Sequence, residues 1–333
     1  MRARSLRPTA LFAALVMVLA ACNGGDDDAG EPEPAATEAA DTELAVAVAS
    51  FDLHVGEDQR LIAGVLTADR GIVAFGDVEM EIAPADAGDD DAAAQTTTAT
   101  FLPVPGAEPE GGGSQPTVVV GDSGAGVYET EVDLDQAGPW ELTVTAELAD
   151  GTTRQGTAAF QVAEEAEILT VGDEAPLTEN LTVDDVDGDE VLPVMVDSRA
   201  QGRNDEIPAA HLHDTTIAEG IEAGRPVVAL FATPIYCVSR FCGPITEVFG
   251  DIAEQYEDRA DFVHVEVWKD FDAQELNEGA AEWIQTAQGG NEPWTFLIDE
   301  EGRIAARWDN VLDADDLIDH LEELPTTTHA EED

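Results

Sequence analysis

The sequence predicts a multidomain protein, with an all-β sandwich over residues 43–164 followed by an α/β domain over residues 207–325. Three observations predict it. Between 43 and 164, short runs that alternate apolar and polar residues recur between turns rich in Gly, Asp and Pro. From 207 onward, apolar runs of β type alternate with helical patterns. Finally, apart from Cys22 near the N-terminus, the only cysteines are Cys237 and Cys242, placed between a strand pattern and a helix pattern of the second half.

Arg2, Arg4 and Arg7 form a basic leader, and residues 11–21 form an apolar stretch too short to span a bilayer comfortably. The stretch ends in Leu19-Ala20-Ala21-Cys22, which resembles a bacterial lipobox. The resemblance implies a signal peptide over 1–21 and a diacylglyceryl thioether on Cys22. That places the mature chain on the extracytoplasmic side of the cell membrane, held by a lipid anchor. An ordinary secretory signal predicts the same compartment, where disulfides persist. Residues 22–42 hold few large apolar side chains and read as a disordered acidic tether, and 326–333 read as a disordered tail.

The chain carries 72 acidic and 14 basic residues, a net charge of −58, and Lys269 is its only lysine. Such a field argues against nucleic acid and anionic lipid surfaces as partners. It reads as a solvated, salt-tolerant surface. Stability should therefore rise as salt screens the self-repulsion, and equal melting temperatures in low and molar salt would contradict this.

Within the first half, 44–48, 59–66, 72–75, 78–82, 99–102, 126–132, 140–146 and 156–162 read as strands. Many short antiparallel strands with one polar face predict a sandwich. The run Gly126-Val-Tyr128, then Ala137-Gly-Pro-Trp140, then Val144 resembles the end of extracytoplasmic immunoglobulin-like modules of the FixH or CopC kind. Residues 103–115 read as a Gly/Pro-rich mobile loop. His54 and Met80 are the only His and Met here, whereas a copper site needs clustered ligands, so they read as surface and core. The module is expected to be structural or partner-binding.

Residues 165–206 read as a linker. Val171-Gly-Asp-Glu-Ala-Pro176 resembles the opening segment of many thioredoxin-like lipoproteins. Asp184-Asp-Val-Asp-Gly-Asp-Glu190 lacks the ligand pattern and closing glutamate of a calcium loop and reads as an acidic solvated turn. Asn180-Leu-Thr182 matches a glycosylation triplet.

In the second half, helices are expected over 215–223, 244–256, 273–287 and 314–324, and strands over 226–231, 262–268, 294–298 and 304–308. The core order βαβαββα is that of a thioredoxin-like fold. Cys242-Gly243-Pro244 resembles the Cys-Gly-Pro of thioredoxins, and Glu292-Pro293-Trp294-Thr295-Phe296-Leu-Ile-Asp299 with Gly302 resembles the hairpin of TlpA/ResA-like proteins. The resemblance implies a cis bond at Pro293 facing the thiols, with Pro293, Trp294 and Tyr236 lining a bound substrate chain. A proline at the first residue of a strand fits this independently.

The chain departs from the family in its Cys-x4-Cys spacing. Five residues of helix advance about 7.5 Å, while a disulfide needs Cα atoms within about 7 Å. Both cysteines are therefore expected in the loop before a helix starting at Pro244, where they can bond. Tyr236 stands where thioredoxins carry Trp, and residues 227–231 hold no acid. Arg240 can favour thiolate.

The expected function is thiol–disulfide exchange with a protein thiol or disulfide partner. Cys237 is the first choice of nucleophile and Cys242 the resolving thiol. The reverse stays open, because Cys242 lies nearer the helix N-terminus. Two alternatives stand beside it. One is a peroxiredoxin-like peroxidase with an internal resolving cysteine, against which Pro234 replaces the expected Thr or Ser. The other is a non-catalytic envelope binding module with a structural disulfide. No cofactor is expected. Copper delivery of the Sco type requires a different cysteine spacing. His211-Leu-His213 offers a metal half-site without a third ligand in register, so no metal is expected.

Overall fold

The computed structural model describes residues 43–85, 94–106, 108–120, 125–237, 241–286 and 289–325. Cys22, the leader, the acidic tether, Arg240 and the C-terminal tail lie outside them. The described residues all belong to one compact unit, 38–333.

Among the described residues, nine strands fill the first half: β1 (Leu44–Val48), β2 (Gly56–Thr67), β3 (Ile72–Ala74), β4 (Asp77–Pro84), β5 (Gln95–Pro103), β6 (Thr117–Val119), β7 (Gly126–Leu134), β8 (Gly138–Glu147) and β9 (Thr153–Val162). Eight were expected; the three-residue β6 was not. They form one antiparallel hydrogen-bonded path, β6-β3-β2-β7-β5-β4-β8-β9, with β1 added beside β2. A parallel bridge from Glu43 to Gln155 brings β1 against β9, so the sheet curls over a single core. Alternation explains which face turns inward. In β4, Val78, Met80 and Ile82 are buried while Glu79 and Glu81 are exposed. A one-residue slip would exchange the two sets. The core also holds Leu61, Tyr128, Trp140, Leu142 and Phe160. Each large side chain contributes roughly 1.5–3 kcal/mol of burial. Gly156 is required at the seam, because a Cβ there would lie 2.2 Å from the Leu44 carbonyl oxygen.

The second half is built on a four-stranded sheet, β11-β10-β16-β17. It comprises β10 (Val227–Ala232), β11 (Asp261–Glu266), β16 (Trp294–Ile298) and β17 (Ile304–Asp309), with the small pairs β12 (Trp268–Asp270)/β13 (Glu275–Leu276) and β14 (Gln285–Thr286)/β15 (Gly289–Gly290) lying between β11 and β16 in the chain. β10 runs parallel to β11 and antiparallel to β16. Every residue of β10 and β16 is buried, as expected for central strands covered on both faces. The helices are α1 (Pro193–Val196), α2 (Ile217–Glu222), α3 (Cys242–Tyr256), α4 (Glu278–Ile284) and α5 (Ala314–Glu323). α3 presents Ile245, Phe249, Ile252, Ala253 and Tyr256 inward at helical spacing. α2 starts in a capping box: Glu219 N donates to Thr216 Oγ1 at 3.0 Å, and Thr216 N donates to Glu219 Oε2 at 2.9 Å.

Two expected boundaries shift. The helix expected over 273–287 shrinks to α4, because Gln274 takes a positive φ of 57° in the turn between β12 and β13. Asn277 then fixes the helix start, donating from Nδ2 to Met195 O and Glu266 O at 2.9 and 2.7 Å. α3 begins at Cys242 rather than Pro244.

Residues 165–206 pack against the second half. Gly172 N and Ala175 N donate to Ile304 O and Gly302 O at 2.8 and 2.9 Å, running alongside β17. Asn180 is buried and accepts from Ile217 N at 2.9 Å, so it is no exposed glycan acceptor. Asp187 Oδ1 accepts from the backbone N–H of Asp189, Glu190 and Val191 at 2.9, 2.8 and 3.1 Å, which accounts for the acidic turn without an ion. The two halves also meet directly. Arg60 of β2 pairs with Glu129 at 2.8 Å and with Asp309 at 2.9 Å, and Arg307 pairs with Asp52 at 2.9 Å. No helix among the described residues is long and apolar enough to cross a membrane.

Candidate functional site

The C-terminal end of β10 feeds the cysteine loop. Cys237 N donates to Thr233 O at 3.1 Å, which folds the chain back after the strand. Cys237 and Cys242 are joined by a disulfide with Cα atoms 6.0 Å apart. The two ends differ in setting. Cys237 lies in the loop and is half-buried; Cys242 is the first residue of α3 and fully buried. The expectation that both sit in the loop fails at Cys242, and the bond is still reached because only one partner is helical. Phe241 offers no side-chain cap, and Cys242 stands at the positive end of the α3 macrodipole.

Tyr236 stacks on Phe271 with ring centroids 4.4 Å apart and planes 4° from parallel, and Trp268 meets Phe271 edge-on. Ile235 beside it is 54% exposed. The Glu292–Pro293 bond is cis. Pro293 directly precedes β16, whose Trp294 pairs with Phe231, so it lies at the same end of the sheet as the cysteine loop. Its carbonyl already accepts from Asn310 N at 2.9 Å and is not free for a substrate chain. Trp294 is buried and stacked on Phe296; its ring packs inside the core. In the sandwich, Met80 is in the core while His54 lines a polar cleft of about 510 Å³ with Asp52, Arg60 and Arg307.

Beneath the cysteine loop lies a cluster of buried polar residues that the sequence reading did not assemble. Asp197 follows α1, His213 follows a short turn at 210–212, and His264 sits in β11; all three side chains are fully buried. His213 Nε2 lies 3.4 Å from both Asp197 Oδ2 and His264 Nδ1. His264 Nε2 faces the Ala232 carbonyl oxygen at 3.2 Å. Arg199 forks onto Asp197, with its NH2 group 2.6 Å from Oδ2. Burial alone would push Asp197 up, but His213 and the Arg199 guanidinium beside it outweigh burial and hold the carboxyl well below the usual range. Burial, reinforced by His213, pushes His264 down to about 3.

Glu266 ends β11 opposite Ala232 and is also buried. Burial pushes its carboxyl up to about 7. The central strand β10 carries no acid, and Glu266 is a buried acid on the strand beside it. Ser198 joins these parts: its N–H donates to Glu266 Oε2 at 2.8 Å, and its hydroxyl accepts from Ile235 N at 3.2 Å. Gln201 Nε2 donates to the Tyr236 hydroxyl at 3.2 Å. The segment from Asp197 to Gln201 therefore props the cysteine loop from below. One signal was available in the sequence: the apolar run 262–268 carries His264 and Glu266 in a strand expected to be buried.

Comparison with known proteins adds little. No protein-family model matches the chain, and no curated protein matches it. Among solved structures, Spo0M, a sporulation control protein from Bacillus subtilis, is similar over 37% of this chain at 10% identity with a TM-score of 0.22. The chain spans about half of that protein's length, 49%, and a likeness this slight carries no argument about fold or function.

Proposed function

We propose that this protein is a lipid-anchored, extracytoplasmic thiol–disulfide exchange protein whose second half is a thioredoxin-like domain. The observation that carries this reading is the asymmetric Cys237–Cys242 disulfide, with one sulfur in a half-buried loop and the other at a helix N-terminus. The sheet order with a parallel β10–β11 pair and the cis Pro293 at the same sheet end support the fold assignment.

The asymmetry supports one division of roles. A partner thiolate attacks Sγ of Cys237; the Cys237–Cys242 bond breaks and Cys242 leaves as a thiolate, stabilised by the α3 N-terminus. The partner's second thiolate then attacks its own sulfur in the mixed disulfide and releases Cys237 as a thiolate. The partner dithiol is oxidised to a disulfide and the pair is reduced. In reverse, Cys237 attacks a partner disulfide and Cys242 resolves it.

Alkylation of single Cys→Ser variants at pH 6 tests the assignment. The Cys242→Ser protein should alkylate fast at Cys237, whereas the buried Cys242 of the Cys237→Ser protein should react slowly. The opposite order reverses the roles. The full burial of Cys242 favours one other reading, a static staple. A reduction potential below about −300 mV without exchange activity would establish the staple instead. Rapid peroxide consumption by the reduced pair would move the function to a peroxidase.

A further inference from the structure

We propose that Asp197, His213 and His264 bind one divalent transition-metal ion of zinc type, which pins the 197–201 segment to the sheet beneath the cysteine loop. The donor atoms form a triangle with edges of 3.4 Å (His213 Nε2 to Asp197 Oδ2), 3.4 Å (His213 Nε2 to His264 Nδ1) and 3.8 Å (His264 Nδ1 to Asp197 Oδ2). A tetrahedral ion with bonds of about 2.1 Å sets its ligands about 3.4 Å apart, while octahedral coordination at that length sets them about 3.0 Å apart. Two edges match the tetrahedral value, and the third exceeds it by a few tenths of an ångström.

Hydrogen bonding alone explains the arrangement poorly. The Ala232 carbonyl oxygen can only accept, so the proton of neutral His264 sits on Nε2 and Nδ1 carries a lone pair. That lone pair faces an acceptor-only carboxylate and the Nε2 of His213. His213 carries one proton at most on Nε2 and cannot serve both neighbours, each at a distance long for a hydrogen bond. Its Nδ1 is buried without a hydrogen-bond partner, so no contact on that side fixes which nitrogen carries the proton. A cation at the centre of the triangle turns three opposed electron-pair donors into three ligands. The surroundings also fit a ligand set. Ligating histidines usually donate their second N–H to a carbonyl, as His264 does to Ala232, and ligating carboxylates are usually held by a further donor, as Asp197 is by Arg199. Two imidazoles and one carboxylate suit zinc and its first-row neighbours. A fourth position is left for a water enclosed with the ion.

The consequence reaches the loop. Asp197 is followed directly by Ser198, which holds Ile235 and Glu266. An ion fixing Asp197 therefore fixes the support of the disulfide. The site does not depend on the redox reading, and its test reads the metal rather than exchange.

The test uses cobalt as the probe. The full-length protein is stripped with a chelator, given Co²⁺ in molar salt to suppress binding to the many surface carboxylates, and desalted. The expected result is one retained equivalent with the intense visible absorption of tetrahedral cobalt, displaced by Zn²⁺. The band should vanish in His213→Gln and His264→Gln and persist in His211→Gln, whose side chain is exposed. No retained cobalt, or only the pale spectrum of octahedral oxygen sites, overturns the proposal. So does a band that survives His264→Gln. If both buried variants fail to fold, the wild-type spectrum and the zinc-induced shift of the His264 Nδ1 resonance still decide it.

Discussion

The two halves of the molecule bury different things. Among the described residues of the sandwich, Thr67 is the one polar side chain in the buried class. The second half buries Asp197, Ser198, His213, Thr233, His264 and Glu266 around one end of its sheet. Burying polar groups is costly unless they are paired, so their concentration marks a place kept for a purpose other than packing. The first half is packed almost wholly with apolar side chains, and the buried polar groups gather where the second sheet meets the cysteine loop.

This contrast can be broken experimentally, and the largest effect should come from the sandwich core. Trp140→Ala removes a fully buried ring and should cost about 3–5 kcal/mol of stability by denaturant unfolding. The reduction potential of Cys237/Cys242 should stay unchanged. A shifted potential would mean that the contacts between the halves carry the loss in the sandwich core to the cysteine loop.

Arg60→Leu should cost about 2–3 kcal/mol, because it strands the largely buried Asp309 carboxylate and Glu129. A double-mutant cycle with Asp309→Asn should recover part of that loss. Additive losses would show that the two halves do not rely on this pair. Reducing the disulfide opens a short loop, so the second half should lose about 2 kcal/mol, read as an earlier unfolding midpoint.

The smallest effect is acid-dependent. The backbone N–H groups of Asp189, Val191 and Glu190 hold the Asp187 carboxyl below its usual 3.8. A depressed carboxyl stabilises the folded state above its unfolded pKa and loses that contribution as pH falls through the folded value. Protection factors at residues 189–191, taken relative to the intrinsic exchange rate, should therefore fall below about pH 4. Asp187→Ala should show fast exchange at every pH. Protection that persists unchanged into strong acid would count against the turn.

The sandwich strands were legible because each carries its own period-two signal, as Val78-Glu-Met-Glu-Ile82 does. What the alternation could not give was the single curled path, since closure depends on which strands meet at the seam by Gly156. Cys237 and Cys242 were legible as a pair because four residues separate them. The start of α3 was misplaced because Pro244 is a strong helix-start signal, yet Cys242 and Gly243 already take helical geometry before it. The buried cluster was invisible for another reason. Asp197, His213 and His264 are spread over 67 positions, and only the fold of the connector onto β11 brings them together. His211-Leu-His213 drew attention as a pair, but the structure splits it, with His211 at the surface and His213 inside.

The contacts just after β1 have a mechanical consequence. Phe51 N donates to Asp309, and Asn310 Nδ2 donates to Ala49 O at 3.0 Å. A chain held by its N-terminal end would carry tension into β1, whose five register pairs with β2 are loaded in shear. From there the load passes through residues 49–52 straight into the turn after β17, bypassing most of the sandwich. A pull at this end of the described chain would thus be felt early at the sheet end that holds Pro293.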